Sequence, residues 1–380
     1  MKRYVLIPDS FKGTMTSAEV CDILREEILT AQPEAEVVSI PVADGGEGSV
    51  DAFLAALGGE KVFCPCHGPY MEEMTGFYGL LPGGDTAVVE MAAAAGLPLV
   101  GEHRRADRTT TYGVGELIAH AAARGVRKII LGLGGSATND GGCGAAAALG
   151  VQFLNEAGTP FLPVGGTLDQ LARVDVSGRS PLLDAIDFVT MCDIDNPLCG
   201  PAGASAVFGP QKGADPDMVR RLDENLAHLA AILRRDLKID VLDLPGGGAA
   251  GGMGAGAAAF FGSRLQMGID TVLDTVDFRR RAAGADLILT GEGRLDSQSL
   301  RGKVVVGVAR RAAALGVPVV ALVGAAETEL EPLWALGVTG VFPINPVAKP
   351  YDQVKSDCFQ NLRFTARNLL HTLTALGGLQ

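Results

Sequence analysis

Aromatic side chains are scarce in this sequence, 5% of its 380 residues, with a single tryptophan. The core must therefore be built from Ala, Val, Leu and Ile, which suits parallel sheets covered by helices. Basic residues are outnumbered, 32 Lys and Arg against 44 Asp and Glu, a net charge of −12. That deficit argues against a nucleic acid or an anionic membrane as partner, since both require a basic face. A small anionic substrate stays open, because a few local cations suffice for it. No uninterrupted apolar run is long enough to span a bilayer. The apolar stretch after Met1-Lys-Arg is too short for a secretory signal and stops at Pro8-Asp9. Seven cysteines, an odd number at no framework spacing, point to a reducing cytoplasm. Cys64-Pro-Cys66-His67 has no second Cys/His pair at zinc-finger spacing, so no zinc site is expected there.

Several signatures are missing too. No Gly-x-x-x-x-Gly-Lys-Ser/Thr is present, which excludes a Walker-type NTPase. No Gly-x-Gly-x-x-Gly follows the first strand, which counts against a nicotinamide-dependent hydroxy-acid dehydrogenase. Protein-kinase signatures and the Gly-x-Ser-x-Gly elbow are absent.

What the chain has in excess is glycine, 51 residues. The glycine-rich run with the most polar groups is Gly134-Gly-Ser-Ala-Thr-Asn-Asp-Gly-Gly-Cys-Gly144, between an apolar strand-like stretch from Lys128 and an Ala-rich helix start. Glycines admit close backbone approach, and Ser136, Thr138, Asn139 and Asp140 add polar groups. Such a loop at a helix N-terminus suits an anion. Gly246 to Gly256 is a second glycine-rich segment. It reads equally as a nucleotide loop, with Gly247 and Gly248 at its turn, or as a helix pressed on a neighbour.

The element pattern is βαβα at the start, with strands at Tyr4–Ile7 and Glu36–Val42 and a Thr16-Ser-Ala-Glu19 capping box opening a helix. Met74 to Met91 alternates around Pro82-Gly-Gly-Asp85, a hairpin. Mixed elements follow, and from Asp286 the strand–helix pattern returns. The expected fold is α/β with two domains. One is a Rossmann-like parallel sheet domain built from both chain ends, 1–66 plus 285–380. The other is an inserted mixed α/β domain, 67–284. Asp9-Ser10, Asp44-Gly-Gly-Glu47 and Gly291-Glu292-Gly-Arg294 each follow a strand, at the carboxyl edge where open α/β sheets bind ligands. Lys12, Lys212, Arg294 and Lys303 sit in or beside glycine motifs and are the cations expected near an anion.

Seven blocks resemble those of the bacterial glycerate kinase family, type I, in the same order. They are Pro8-Asp-Ser-Phe-Lys-Gly13, Ala43-Asp-Gly-Gly-Glu-Gly48, the Gly134–Gly144 loop, Cys192-Asp-Ile-Asp-Asn-Pro-Leu198, Gln211-Lys-Gly213, Gly246–Gly252 and Gly291–Asp296. The resemblance implies a Rossmann-like domain interrupted by a second α/β domain. It also implies ATP-dependent, magnesium-assisted phosphorylation of D-glycerate, to 2-phosphoglycerate in most members and 3-phosphoglycerate in some. Phosphorylating an alcohol needs a carboxylate to take its proton and cations on the moving phosphoryl group. Asp9, Asp44 and Asp193 compete for the base, with Asp193 preferred and Asp44 next. Lys12 and Lys212 are the expected catalytic cations. Asp9, Ser10, Glu47, Asn196 and Arg294 are expected to bind glycerate. Gly134, Gly135, Ser136, Asn139, Asp140, Gly247, Gly248 and Glu292 are expected to bind ATP. Asp193 and Asp195, paired acids beside the Asn196-Pro197 turn, suit Mg²⁺.

Overall fold

A computed structural model describes residues 1–43, 45–297, 299–327, 331–347 and 351–377. Asp44, a candidate base, lies outside the described residues. In chain order the strands are β1 (Arg3–Leu6), β2 (Glu36–Ser39), β3 (Glu60–His67), β4 (Glu73–Leu80), β5 (Thr86–Glu90), β6 (Lys128–Gly132), β7 (Gln152–Leu154), β8 (Arg173–Asp175), β9 (Asp187–Met191), β10 (Arg264–Gln266), β11 (Leu287–Leu295), β12 (Val319–Ala326) and β13 (Val338–Pro343). The chain divides into two compact units. One holds Met1–Asp44, Ala55–Leu57 and Met267–Gln380; the other holds Gly45–Leu54 and Gly58–Gln266.

The first unit is built on a five-stranded sheet in the order β13-β12-β11-β1-β2. Every pairing in it is parallel, and Tyr4 of β1 stands opposite Leu287 of β11, so both chain ends share one sheet. Helix Ser17–Ala31 starts where the capping box requires. The Thr16 hydroxyl accepts from Glu19 N at 3.2 Å, and Glu19 Oε2 accepts from Thr16 N at 2.8 Å. The apolar stripe of this helix, with Leu24 and Ile28, packs with Leu6, Leu289, Leu322, Leu362 and Leu370. Glu27 is buried beside that stripe, yet Arg363 at 3.0 Å and Arg367 at 2.5 Å pair with it. Their hydrogen bonds hold its carboxyl below the usual range.

The β11 strand departs from expectation. The glycines of Gly291-Glu-Gly-Arg294 read as a turn after the strand, but β11 runs on through them, pairing with β12 out to Leu295 opposite Ala326. Glycine inside a strand marks close backbone approach as often as a turn. Glu292 is therefore a strand residue and faces inward.

The second unit carries a six-stranded sheet, β10-β9-β6-β5-β4-β3. Strands β10, β9, β6 and β5 are parallel; β5, β4 and β3 are antiparallel, with the expected hairpin between β4 and β5. The edge strand β3 contains Cys64-Pro-Cys66-His67. An edge strand tolerates Pro65 because its outer N–H positions need no partner. Cys64 and Cys66 point inward, and burial pushes the Cys66 thiol up to about 11. His67 Nδ1 lies 2.9 Å from Glu116 Oε1. All seven cysteines are free. Among the described residues no helix is long and apolar enough to cross a membrane.

Candidate active site

Three parallel strands of the second unit, β5, β6 and β9, run in register and end at Glu90, Gly132 and Met191. The glycine loop leaves β6 there. Gly134 N donates to Gly45 O at 2.9 Å, and a Cβ on Gly134 would come within 2.5 Å of Gly46 Cα. The Gly45-Gly46 motif is thus laid on the strand ends of the second sheet, beside the loop, although in sequence it follows β2 of the first. Glu47 is exposed and Gly135 is exposed, while Ser136 is buried. Glu90, which the sequence did not single out, is buried at the end of β5 and accepts from Val50 N at 3.2 Å. Burial raises its pKa. A carboxylate closing the apolar run Ala87-Val-Val was the available signal.

The far half of the loop is not an open anion cradle. Asp140 is wholly enclosed. Its Oδ2 accepts from Thr111 N at 2.7 Å, Thr111 Oγ1 at 2.9 Å and Gly144 N at 3.2 Å, and its Oδ1 accepts from Gly142 N at 3.1 Å. The N–H groups that were expected to meet a bound anion meet this carboxylate instead. Burial pushes Asp140 upward in pKa, opposed by these donors. Its geometry ties the loop to the helix Tyr112–Ala123 rather than presenting an acid to a ligand.

Lys212 joins the same loop from 76 residues away. A short 3-10 turn, Pro210–Lys212, buries it completely, and its Nζ donates to Ser136 Oγ at 3.0 Å and to Thr138 O at 2.7 Å. Desolvation pulls its pKa down to about 7, with Asp140 pulling weakly the other way. Asn139 Nδ2 donates to Ser205 Oγ at 3.2 Å. Thr138 Oγ1 and Asn139 Oδ1 are buried with no hydrogen-bond partner.

Close packing accounts for the second glycine segment. Gly247 and Gly248 are buried, and Gly248 N donates to Asn196 O at 3.0 Å. Ala250, Gly251 and Gly252 take left-handed backbone before the helix proper resumes. Gly251 O accepts from Gly141 N at 3.0 Å, and a Cβ on Gly251 would lie 2.0 Å from Thr138 O. The segment is pressed backbone to backbone on the Gly134–Gly144 loop. Gly251→Ala is expected to destabilise the protein by about 3 kcal/mol, from that clash plus the strained φ. A lower urea midpoint at unchanged slope would register it; a wild-type midpoint would remove Gly251 from this role.

Past β9, Cys192 Sγ lies 3.3 Å from Ile194 O. Asp193 is half-buried, Asp195 exposed and Asn196 half-buried. The Asn196 side-chain amide is occupied, donating to Ala202 O at 2.8 Å. Among the described residues no group of three or more His, Cys, Asp or Glu side chains stands ready to hold a metal. Asp193 and Asp195 still offer the hard oxygen donors that suit Mg²⁺, which usually takes one or two carboxylates, with waters and substrate phosphates completing its shell.

The first unit has its own polar cluster at the carboxyl end of β1 and β11. Asp9 N donates to Gly291 O at 2.8 Å, and Asp9 Oδ1 accepts from Ser10 N at 2.7 Å. Glu292 is buried, its Oε1 has no hydrogen-bond partner, and its pKa is raised to about 7. Burial is the main cause; Asp9 adds to the rise, and Ser299 and Lys303 oppose it. Lys303 stands immediately before the helix Val304–Ala313. Lys12 and Arg294 are exposed; Arg294 lies 3.6 Å from Glu327 and 3.9 Å from Asp296.

Comparison with known proteins bears on what these clusters do. The model of the glycerate kinase family matches residues 4–374. The chain belongs to the glycerate kinase family. It is 44% identical over 368 residues to a glycerate kinase of Bacillus cereus, covering 97% of each chain. It is 40% identical over 372 residues to the glycerate 2-kinase of Escherichia coli K12, covering 98% of each. The crystal structure of a Salmonella typhimurium LT2 protein assigned as glycerate kinase 2 superposes with a TM-score of 0.88 at 43% identity, covering 100% of both chains. The α/β architecture, with its parallel and mixed sheets, is that of this family.

Proposed function

We propose that this chain transfers the γ-phosphoryl group of ATP to the 2-hydroxyl of D-glycerate, releasing 2-phosphoglycerate and ADP. As a member of the glycerate kinase family it is a phosphotransferase acting on glycerate. The choice of the 2-position follows the Escherichia coli relative named glycerate 2-kinase. The observation that carries the catalytic reading is Lys212, buried against Ser136 and Thr138 of the glycine loop. A lysine held this way in a dry, fixed setting stabilises charge far more than an exposed one does.

In this reading Asp193 takes the proton of the glycerate hydroxyl, with Asp44 as the second candidate. The freed oxygen attacks the γ-phosphorus and the bond to ADP breaks. Lys12 and Lys212 offset the charge on the moving phosphoryl group. Asp9, Ser10, Glu47 and Arg294 position glycerate. Gly134, Gly135 and Ser136 approach the nucleotide. Asp140 and the enclosed Gly247 and Gly248 support the loop from behind, and Glu292 stands on β11, the central strand of the first sheet. Asp193 and Asp195 would hold magnesium, which would neutralise phosphate charge when bound.

ADP release is the direct test, with D-glycerate, ATP and magnesium all present and then each omitted. ADP is expected only in the complete mixture, and exhaustive chelation is expected to abolish it. Phosphorus NMR of the product distinguishes phosphorylation at the 2-position from the 3-position. Full activity after chelation would end the metal assignment, and a 3-phosphorylated product would overturn the regiochemistry.

A further inference from the structure

Among the described residues, Lys212 is buried with no carboxylate in direct contact. Its two hydrogen bonds go to neutral acceptors, a hydroxyl and a backbone carbonyl. An ammonium has three donors, so one position on the nitrogen is unused by the loop. Among the described residues, the acid that acts on it is Asp140, which opposes the fall in its pKa through space, its oxygens already taken by Thr111, Gly142 and Gly144. On the other side of the Pro210–Lys212 turn stands Arg104, which donates to Gln211 O at 2.9 Å and adds positive rather than negative charge. An enclosed ammonium without a paired anion is strongly disfavoured. Among the described residues, no acid is in ion-pair contact with this ammonium, and Asp140 acts on it only through space.

We propose that Lys212 receives an anionic oxygen of the substrate pair and takes up one proton from solvent as that anion seats. The step forms one N–H bond at Nζ and no other. The new donor meets the anion, and the proton returns to solvent when the anion leaves. This rests on the kinase reading only for the identity of the natural anion, a phosphoryl oxygen of ATP or the carboxylate of glycerate. The lowered pKa of this lysine, about 7, agrees with an amine that is largely neutral in the free protein above neutrality. Its folded-state pKa lies below the ordinary lysine value, so the anion must supply what burial removed. The arrangement ties charge to occupancy: the cation is created where and when it is used.

Titration calorimetry of the full chain tests this, using buffers of different ionisation enthalpy. The probes are D-glycerate, a non-hydrolysable ATP analogue and inorganic sulfate, each measured with wild type and with Lys212→Met. At about pH 8, uptake approaching one proton per ligand is expected for the anion that seats on Lys212, falling toward zero near about pH 6 where the amine is already charged. Subtracting the Lys212→Met value removes any ionisation of the ligand itself. The variant should lose the uptake and bind that ligand at least about tenfold more weakly. The arm that shows the effect identifies the source of the anion. Wild-type uptake that does not change with pH, or an equal uptake in Lys212→Met, overturns the proposal. Should the variant fail to fold, the wild-type pH dependence with D-glycerate and with sulfate decides, since neither of these ligands ionises between about pH 6 and 8. If neither D-glycerate nor the analogue binds, the kinase reading fails, while the sulfate arm still tests Lys212.

Discussion

Asp193→Asn is expected to cut kcat by about a hundredfold or more while leaving glycerate and ATP binding within about a few-fold. The substitution keeps size but removes the negative charge, and with it both the ability to take a proton and one of the two carboxylates proposed for Mg²⁺. Asp193 follows β9 at the carboxyl edge of the second sheet, half-buried, on the same strand ends that carry the glycine loop. Were Asp193 merely a turn-forming residue, asparagine would replace it almost silently, because asparagine serves turns equally well. Steady-state kinetics with single-turnover chemistry measure the difference. An active Asp193→Asn enzyme would pass the role to Asp44, whose asparagine variant should then show the large loss.

Lys12→Ala and Lys212→Ala are each expected to lower kcat/KM by about 10²–10³, since a cation on the transferring phosphoryl group acts mainly in the transition state. The two should differ in everything else. Lys12 is exposed, so its removal should leave the unfolding midpoint where it was and change only kinetics. Lys212 is enclosed, and truncating it leaves Ser136 Oγ and Thr138 O without their donor. A methionine in its place fills the space better than alanine and separates packing from charge. Wild-type kinetics in either variant would remove that residue from the site.

The helices and strands of this chain were legible because local chemistry decides them. Thr16 and Glu19 satisfy the first N–H groups of a helix wherever that helix goes. Pro82-Gly-Gly-Asp85 turns two alternating segments into neighbours. The glycine blocks were legible as places of close approach, but what approaches them was not. A glycine reports only that a side chain would not fit. At Gly251 the neighbour is the Thr138 carbonyl, and at Gly291 it is the adjoining strand, not a ligand in either case. Glu292 was read in a turn and stands in a strand, because two glycines flanking a carboxylate look alike in both settings.

The resemblance of the seven blocks, in family order, gave the family and with it the reaction class from sequence alone, while the acidic balance and the missing nucleotide motifs excluded rival classes. These properties survive any arrangement of the chain. Only the tertiary structure decided the state of the groups in the site. Asp140 became a buried brace because four donors from two segments, Thr111 and the Gly142–Gly144 turn, converge on it. Burial lowers the basicity of Lys212 by stripping its water, with Asp140 opposing the fall. A protonation state depends on what surrounds an atom, and residues 76 positions apart acquire that relation only when the chain folds.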